Sequence, residues 1–297
     1  MTLVHLNGEF VAPGEARISA FDAAVQHGVG LFETMLASGG GVRRLGEHLQ
    51  RLARSARRLQ LVDSLDVDAL GDLVLETVRR SGLAEQSNIA RVRLTITGGD
   101  LNLRERASAP QRHMPGVLIV CQPATIYPTE MYERGVRVTV ADLRVNPLDP
   151  LSGHKTINYW SRLMEVQRAH ARGASEALVF QVTNHLAGGA VSNVFLAQGG
   201  RLLTPIARGE EDAGAIASPV LPGITRLGVL EHAQDMGIEV QRRMLTIDDV
   251  IGADEVFVTN SGWGVLPVVA VEGSKIGDCS VGEIARTMLQ KWREELG

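Results

Sequence analysis

Strand-like and helix-like patterns alternate through both halves of this chain, and this alternation is the main constraint on its fold. In the first half, 90–97 alternates in the manner of a half-buried strand, and leucines recur at helical spacing over 45–59. The second half repeats the mixture, with a strand pattern at 136–140 and a helix pattern at 224–236. The predicted fold class is therefore α/β, in the mixed α+β sense.

A connector divides the two halves. Residues 122–134 hold two prolines and few aliphatic residues, and they separate two segments that each carry strands and helices. A length of 297 residues allows two domains. We predict a small N-terminal α/β domain at 1–121, an interdomain connector at 122–134 and a larger C-terminal α/β domain at 135–297.

Composition narrows the class of protein. Hydrophobic residues make up 44% and charged residues 22%, which is an ordinary globular mixture. No apolar run approaches the ~20 residues of a membrane-spanning helix, and the N-terminus lacks a signal-peptide pattern. A net charge of −4 gives no reason to expect a nucleic-acid or membrane partner. Cys121 and Cys279 lie far apart, so no metal site is expected. A soluble cytoplasmic protein is the expectation.

Lysine is scarce, and this limits where a Schiff base could form. The chain has three lysines, at positions 155, 275 and 291. Lys155 lies between a Pro/Gly-rich turn at 147–153 and a predicted helix at 156–171. An amine that is partly desolvated there would be nucleophilic towards an aldehyde, although the position alone also fits a surface lysine. Lys275 and Lys291 have the sequence context of solvated residues.

Two segments have features of an anion site. Arg51 follows His48 by one helical turn, so the two side chains could point together at an anion. The segment 221–226, LPGITR, places Gly223 and Thr225 at the start of a predicted helix. Backbone N–H groups at a helix N-terminus suit a phosphate, and the same pattern also fits a simple helix entry.

Seven motifs in order resemble the fold-type IV pyridoxal-phosphate family. This class IV aminotransferase family includes branched-chain and D-amino-acid aminotransferases and 4-amino-4-deoxychorismate lyases. The resemblance runs from Asn7 to about Gly273, and it rests on HGVGLFETM at 27–35, EHLQRL at 47–52, ARVRLTIT at 90–97, HKTINY at 154–159, SNVFL at 192–196, LPGITR at 221–226 and ADEVFVTNS at 253–261.

The resemblance implies pyridoxal 5′-phosphate as the cofactor and assigns its ligands. Lys155 would form the Schiff base with the cofactor and move the proton at the substrate carbon. Tyr159 matches the tyrosine that hydrogen-bonds the cofactor's phenolic oxygen, although it follows the lysine one residue sooner here. The remaining cofactor ligands that the resemblance implies are Arg51, Ile224, Thr225, Asn260 and Ser261.

Substrate-side residues follow from the same resemblance. Thr34 matches a threonine that is assigned to product protonation in some of the lyases. Arg93 is placed to meet a substrate carboxylate, or is an exposed strand residue, and Gly262 is expected to border the substrate. The family's fold also implies a homodimer.

One position departs from the family. The glutamate that keeps the cofactor's ring nitrogen protonated falls on Gly188 when the chain is aligned on Asn193 and Phe195. Without that carboxylate the ring should be a weaker electron sink. Glu176 and His185 are nearby in sequence and carry groups that could replace it.

Three functions, two enzymatic and one of binding, remain open at this point. The sequence around Thr34 and over 259–261 favours an aminodeoxychorismate lyase, which releases p-aminobenzoate and pyruvate, and this is the function that we predict first. Tyr159 and the chain length fit an aminotransferase that uses 2-oxoglutarate or pyruvate. Gly188 favours a cofactor-binding protein with little activity.

Overall fold

The computed structural model describes residues 1–85, 88–100 and 115–295, and the chain forms two compact units. The first unit comprises Met1–Thr125 together with His154–Asn158. The second unit comprises Ile126–Gly153 and Tyr159–Leu296. None of the helices in the described part of the chain combines the length and the apolar character that a membrane span requires.

The first unit is built on an antiparallel sheet of six strands in the order β2-β1-β6-β5-β3-β4. Its opening hairpin turns at Asn7 and Gly8, which both have positive φ, as a type I′ turn requires. The strands are β1 (Leu3–Leu6), β2 (Glu9–Val11), β3 (Gly30–Ser38), β4 (Gly41–Val42), β5 (Ala90–Thr97) and β6 (Val117–Pro123), and the helices are α1 (Ala23–His27), α2 (Leu45–Arg58) and α3 (Val67–Ser81).

The two faces of this sheet differ because side chains alternate along each strand. One face packs against α2 and α3 and forms the core of the unit, which includes Leu31, Met35, Val92, Leu94, Leu49, Leu52 and Val74. Residues one position away face the opposite side. On that side Phe32 and Thr95 are buried, whereas Thr34, Arg91 and Arg93 are half-buried.

The second unit is built on a mixed sheet of nine strands. Eight of them follow the order β12-β11-β10-β13-β14-β7-β8-β9, and β15 pairs with β14. The strands are β7 (Val136–Val145), β8 (Glu176–Gln181), β9 (Leu186–Gly189), β10 (Asn193–Gln198), β11 (Arg201–Thr204), β12 (Val240–Arg242), β13 (Glu255–Asn260), β14 (Gly264–Val271) and β15 (Ser274–Lys275). The helices are α4 (Thr129–Glu133), α5 (Trp160–Ala171), α6 (Ile224–Asp235), α7 (Ile247–Ile251) and α8 (Glu283–Glu294).

The segment around Lys155 differs from the sequence expectation. The predicted helix at 156–171 begins only at Trp160, and residues 154–158 belong to the first unit rather than to the rest of 135–297. The cause is backbone pairing with β3, where Phe32 N–H donates to the Lys155 carbonyl at 3.0 Å. The sequence also does not indicate the strand β9, because LAGG offers no β-branched residue.

Candidate active site

Lys155 is held in place by its own backbone. Ile157 N–H donates to the Gly30 carbonyl at 3.0 Å, so hydrogen bonds to β3 lie on both sides of Thr156. A Cβ at Gly30 would lie 2.7 Å from the Ile96 carbonyl oxygen, which is closer than a side chain allows. The lysine is therefore fixed against the start of β3, at a place where only glycine fits.

The Lys155 side chain meets an aromatic ring that also contacts an arginine. Lys155 Nζ lies 4.4 Å from the centroid of the Phe32 ring, and Arg93 Cζ lies 3.8 Å from the same centroid. Arg93 is the cross-strand partner of Thr34, so all four side chains belong to one region of the first unit. The predicted residues Lys155, Thr34 and Arg93 are thus brought together, and aromatic faces attract both cations.

Arg51 is buried and engages a carboxylate that the sequence analysis did not assign. Its Nε donates to Glu33 Oε1 at 2.9 Å, and a second guanidinium nitrogen donates to Glu33 Oε2 at 2.5 Å. His48 Nδ1 lies 2.7 Å from the same Oε2. The anion shared by the predicted His48–Arg51 pair is therefore the Glu33 side chain.

The alternation of β3 could have indicated Glu33. It lies between Leu31 and Met35 on the face that packs against α2, and a charge at such a position requires a partner on the covering helix. The two hydrogen bonds to Glu33 orient the plane of the Arg51 guanidinium.

The pKa values of this cluster follow from burial and pairing. Burial alone would raise the pKa of Glu33, but the charge of Arg51 and the hydrogen bond of His48 outweigh it and lower the pKa to about 2. Burial lowers the pKa of His48, and this effect exceeds the opposing effect of Glu33. At neutral pH the cluster therefore holds an ionised Glu33 and a neutral His48.

In the second unit, the helix α6 begins without a side-chain cap. Its N-cap residue is Gly223, and Ile224 and Thr225 follow as buried residues of the first turn. A Cβ at Gly223 would collide with Asn193 Oδ1, so no larger residue fits. Because the cap residue carries no side chain, the N–H groups of the first turn suit an anion.

The turn between β13 and β14 carries three further predicted residues. Asn260 Oδ1 accepts hydrogen bonds from the backbone N–H groups of Gly262 at 2.8 Å and Trp263 at 3.0 Å. Asn260 therefore shapes the turn itself, and Ser261 and Gly262 lie half-buried at its tip. Tyr159 is half-buried at the N-cap position of α5.

The structure supplies a backbone reason for glycine at position 188. Gly188 has a φ of +147°, and a Cβ there would lie 2.9 Å from the Ser192 carbonyl oxygen. A glutamate could enter this backbone only if the neighbouring turn moved. His185 bonds with Thr183 at 3.0 Å in the exposed turn between β8 and β9.

Glu176 is the buried carboxylate beside this turn. It is fully buried, and its Oε2 accepts from Ser192 Oγ at 2.8 Å and from Val191 N–H at 3.1 Å. Burial raises the pKa of Glu176, against the hydrogen bonds that it receives. The Glu176 carboxylate thus holds the turn after β9. A Cβ at Gly189 would lie 2.8 Å from Glu176 Oε2, so glycine at 189 leaves room for the carboxylate.

The fold and these clusters define a class of protein, and comparison with known proteins identifies it. The model of the amino-transferase class IV family matches residues 30–271, so the chain belongs to the class IV aminotransferases, which use pyridoxal phosphate. The predicted family, α/β fold class, cofactor and enzymatic nature are thereby confirmed.

Individual relatives cover nearly the whole chain. A putative branched-chain-amino-acid aminotransferase of Methanocaldococcus jannaschii is 32% identical over 98% of this chain and 95% of its own. The structure of the branched-chain aminotransferase of Escherichia coli has a TM-score of 0.85 at 27% identity, covering 97% of this chain and 92% of its own. The 4-amino-4-deoxychorismate lyase of Pseudomonas aeruginosa has a TM-score of 0.82 at 28% identity, covering 98% of both chains.

Loss of Glu33 should destabilise the first unit in a pH-dependent way. Glu33→Gln leaves Arg51 buried without its charged partner, which should cost about 3–5 kcal/mol at pH 7. The folded pKa of Glu33, about 2, lies below its usual value of 4.5, so the unfolded chain takes up the proton first. The wild-type advantage should therefore be complete above pH 4.5 and should shrink as the pH falls towards 2.

Urea unfolding of both proteins at pH 7, 4 and 3 measures this difference. The control is Glu76→Gln, since the pKa of Glu76 is also lowered to about 2, by Arg79 and Arg80, but at the protein surface. It should cost much less because solvent screens exposed pairs. A wild-type advantage that stays constant over this pH range would contradict the assignment.

Substitution of Gly188 should cost stability. Gly188→Ala combines a positive φ with a contact to the Ser192 carbonyl, so about 1–3 kcal/mol is expected from strain. Gly173→Ala is the matched control, since Gly173 has a φ of +71° and nothing within 4 Å of an added Cβ. Denaturant unfolding should show the larger loss at Gly188. Equal losses would mean that the Ser192 contact adds nothing.

Proposed function

We propose that this protein is an aminotransferase that exchanges the amino group between an amino acid and a 2-oxo acid. The observation that carries the proposal is the Phe32 ring, which is contacted by both the Lys155 amine and the Arg93 guanidinium. A nucleophilic amine beside a group that binds carboxylates is what an amino-acid substrate requires.

Each unit carries residues of a kind that binds a phosphorylated cofactor. In the first unit Arg51 offers a charged donor. In the second unit the N-terminus of α6, with Ile224 and Thr225, offers backbone N–H donors. We assign Ser261 and Asn260 to the same group of ligands and Tyr159 to the cofactor's phenolic oxygen. When bound, pyridoxal phosphate supplies a ring that withdraws electrons from the substrate's α-carbon.

The chain's own residues would then perform the proton transfer. Lys155 Nζ would be the base that holds and moves the substrate's α-proton, because its backbone is fixed to β3 while its side chain is half-buried. Arg93 holds a substrate carboxylate, and Gly262 borders the substrate. Glu33 is a positioning residue for Arg51, since two hydrogen bonds fix the guanidinium plane.

The relatives support transamination over the lyase reaction that the sequence placed first. The Methanocaldococcus jannaschii relative has a branched-chain aminotransferase name and spans nearly the whole chain. The lyase stays the second candidate because Thr34 lies half-buried beside Arg93, where its hydroxyl could protonate a product. The similarity to the Pseudomonas aeruginosa lyase supports the same alternative.

The expected setting of the enzyme is part of the proposal. We place it in the cytoplasm as a homodimer that acts on small amino-acid substrates, in keeping with the family resemblance. A third possibility, a protein that binds the cofactor but turns over slowly, is motivated by Gly188.

A product assay separates these reactions. The purified protein with pyridoxal phosphate is incubated with L- and D-amino acids plus 2-oxoglutarate or pyruvate, and separately with aminodeoxychorismate. Transamination forms a new amino acid and a new oxo acid, whereas lyase activity forms p-aminobenzoate and pyruvate. Absence of products in every mixture would reject both enzymatic proposals.

Lys155 should carry the cofactor covalently. Borohydride reduction of the loaded protein followed by peptide mapping should label Lys155. Lys291 is paired with Glu294 at 3.1 Å, and Lys275 lies exposed in β15, so both serve as internal controls. Label on either of them, with Lys155 unmodified, would overturn the assignment.

Removing the guanidinium should weaken cofactor binding. The double variant Arg51→Met with Glu33→Gln removes both buried charges together, which avoids leaving one of them unpaired. A charge-assisted contact is worth ~1.5–3 kcal/mol, so affinity should fall about 10- to 100-fold. Titration of the apoprotein with pyridoxal phosphate measures it, with the exposed Arg54→Met as control. Unchanged affinity in the folded double variant would exclude Arg51 as a phosphate ligand.

A further inference from the structure

Polar side chains form a row across the sheet face that carries Phe32. The row consists of Thr34 on β3, Arg91, Arg93 and Thr95 on β5, and Gln122 on β6. The strand register places Arg93 opposite Thr34 and Arg91 between Leu36 and Gln122. Two arginines therefore project from one strand towards the side of the sheet where the Lys155 amine lies.

Arg91 is the member of this row that has a buried hydrogen-bond donor without an acceptor in the part of the chain that the structure describes. Its Nε is buried, and it has no hydrogen-bond partner within residues 1–85, 88–100 and 115–295. Its cross-strand neighbours, Leu36 and Gln122, carry no charge. A buried donor on a charged group is nearly always satisfied in a native protein, so a ligand that brings an acceptor to this place would complete it.

Arg93 lies one strand repeat away. Residues i and i+2 of a strand share a face and are about 6.6 Å apart along it, so the two guanidinium groups can serve one small molecule. Arg93 is tied to the Phe32 ring, 3.8 Å from its centroid, and hence to the Lys155 amine. Each guanidinium can bind a carboxylate through parallel hydrogen bonds.

We infer that Arg91 binds a second substrate carboxylate, so that the preferred substrates are dicarboxylates rather than branched aliphatic amino acids. The inference rests on the proposed function, because it places the substrate beside Lys155. An aliphatic side chain at this position would bury Arg91 Nε further without satisfying it, whereas a carboxylate would accept its hydrogen bond. The dicarboxylate is an amino acid with a carboxylate side chain or, for the lyase reaction, aminodeoxychorismate.

Substrate competition with matched variants tests this inference. Donors with a second carboxylate (aspartate, glutamate, 2-aminoadipate) are compared with leucine, norvaline and 2-aminobutyrate in the loaded enzyme. The wild type should have the higher kcat/KM for the dicarboxylates. Arg91→Gln should lower that kcat/KM about 10- to 100-fold and leave the values for the monocarboxylates within about twofold. Arg137→Gln, an exposed strand arginine of the second unit, is the control.

Aminodeoxychorismate forms a separate arm. If it is the substrate that is turned over and Arg91→Gln slows it by the same factor, the inference holds for the lyase reaction. A wild type that prefers leucine, or an Arg91→Gln variant that slows all substrates equally, overturns the inference while leaving the aminotransferase proposal intact.

A binding measurement keeps the inference testable if nothing is turned over. Glutarate and pentanoate have the same carbon chain and differ in one carboxylate. Calorimetry on the cofactor-loaded protein should show glutarate binding more tightly to the wild type, and Arg91→Gln should remove that preference. Equal binding of the two acids to the wild type would overturn the second carboxylate site, independently of catalysis.

Discussion

The pairing of residues 154–158 with the start of β3 is the interaction on which the candidate site depends. Two backbone hydrogen bonds join Phe32 and Gly30 to the segment that carries Lys155. They fix the lysine relative to Phe32 and Arg93, although most of the chain of the first unit lies between β3 and Lys155 in sequence order. A surface lysine on a mobile loop would lose this orientation, so the pairing converts an ordinary amine into a positioned one.

The buried charges of Glu33 and Arg51 are a second constraint on the structure of the first unit. Glu33 and Arg51 lie among apolar side chains, so each of the two charges is tolerated only while the other, and the hydrogen bond between Glu33 and the neutral His48, stay in place. The arrangement ties the helix α2 to β3 by polar contacts as well as by packing. It also orients the Arg51 guanidinium, which joins the stability of the unit to the proposed cofactor phosphate contact.

In the second unit, the backbone conformation explains why position 188 is glycine where the family usually has glutamate. Gly188 adopts a conformation that side chains avoid, and the nearby carboxylate of Glu176 is engaged by the turn that follows. The carboxylate in this part of the fold is that of Glu176 on β8, the strand that pairs with the strand of Gly188. Here Glu176 receives hydrogen bonds from the turn, which gives it a structural role that sequence order alone did not indicate.

The sequence by itself determined the fold class, the family and the identity of the candidate lysine. Two of the signals are local: the strand alternation at 90–97 and the leucine periodicity in α2. Local periodicity predicts secondary structure directly. The scarcity of lysine is a property of composition, and it limits the candidates for a Schiff base. The tertiary structure decided which distant residues are in contact. Glu33 and Arg51 are 18 positions apart and meet only because β3 and α2 pack together. The helix α5 begins at Trp160 rather than at the predicted Thr156, because backbone pairing with β3 outweighs helical propensity at 155–157. The sequence left Arg93 open as a ligand of a substrate carboxylate or an exposed strand residue, and it assigned no role to Arg91. The strand register places both on the face of Phe32. Long-range pairing of this kind is set by packing and hydrogen bonding between distant segments, and no single segment of the sequence encodes it.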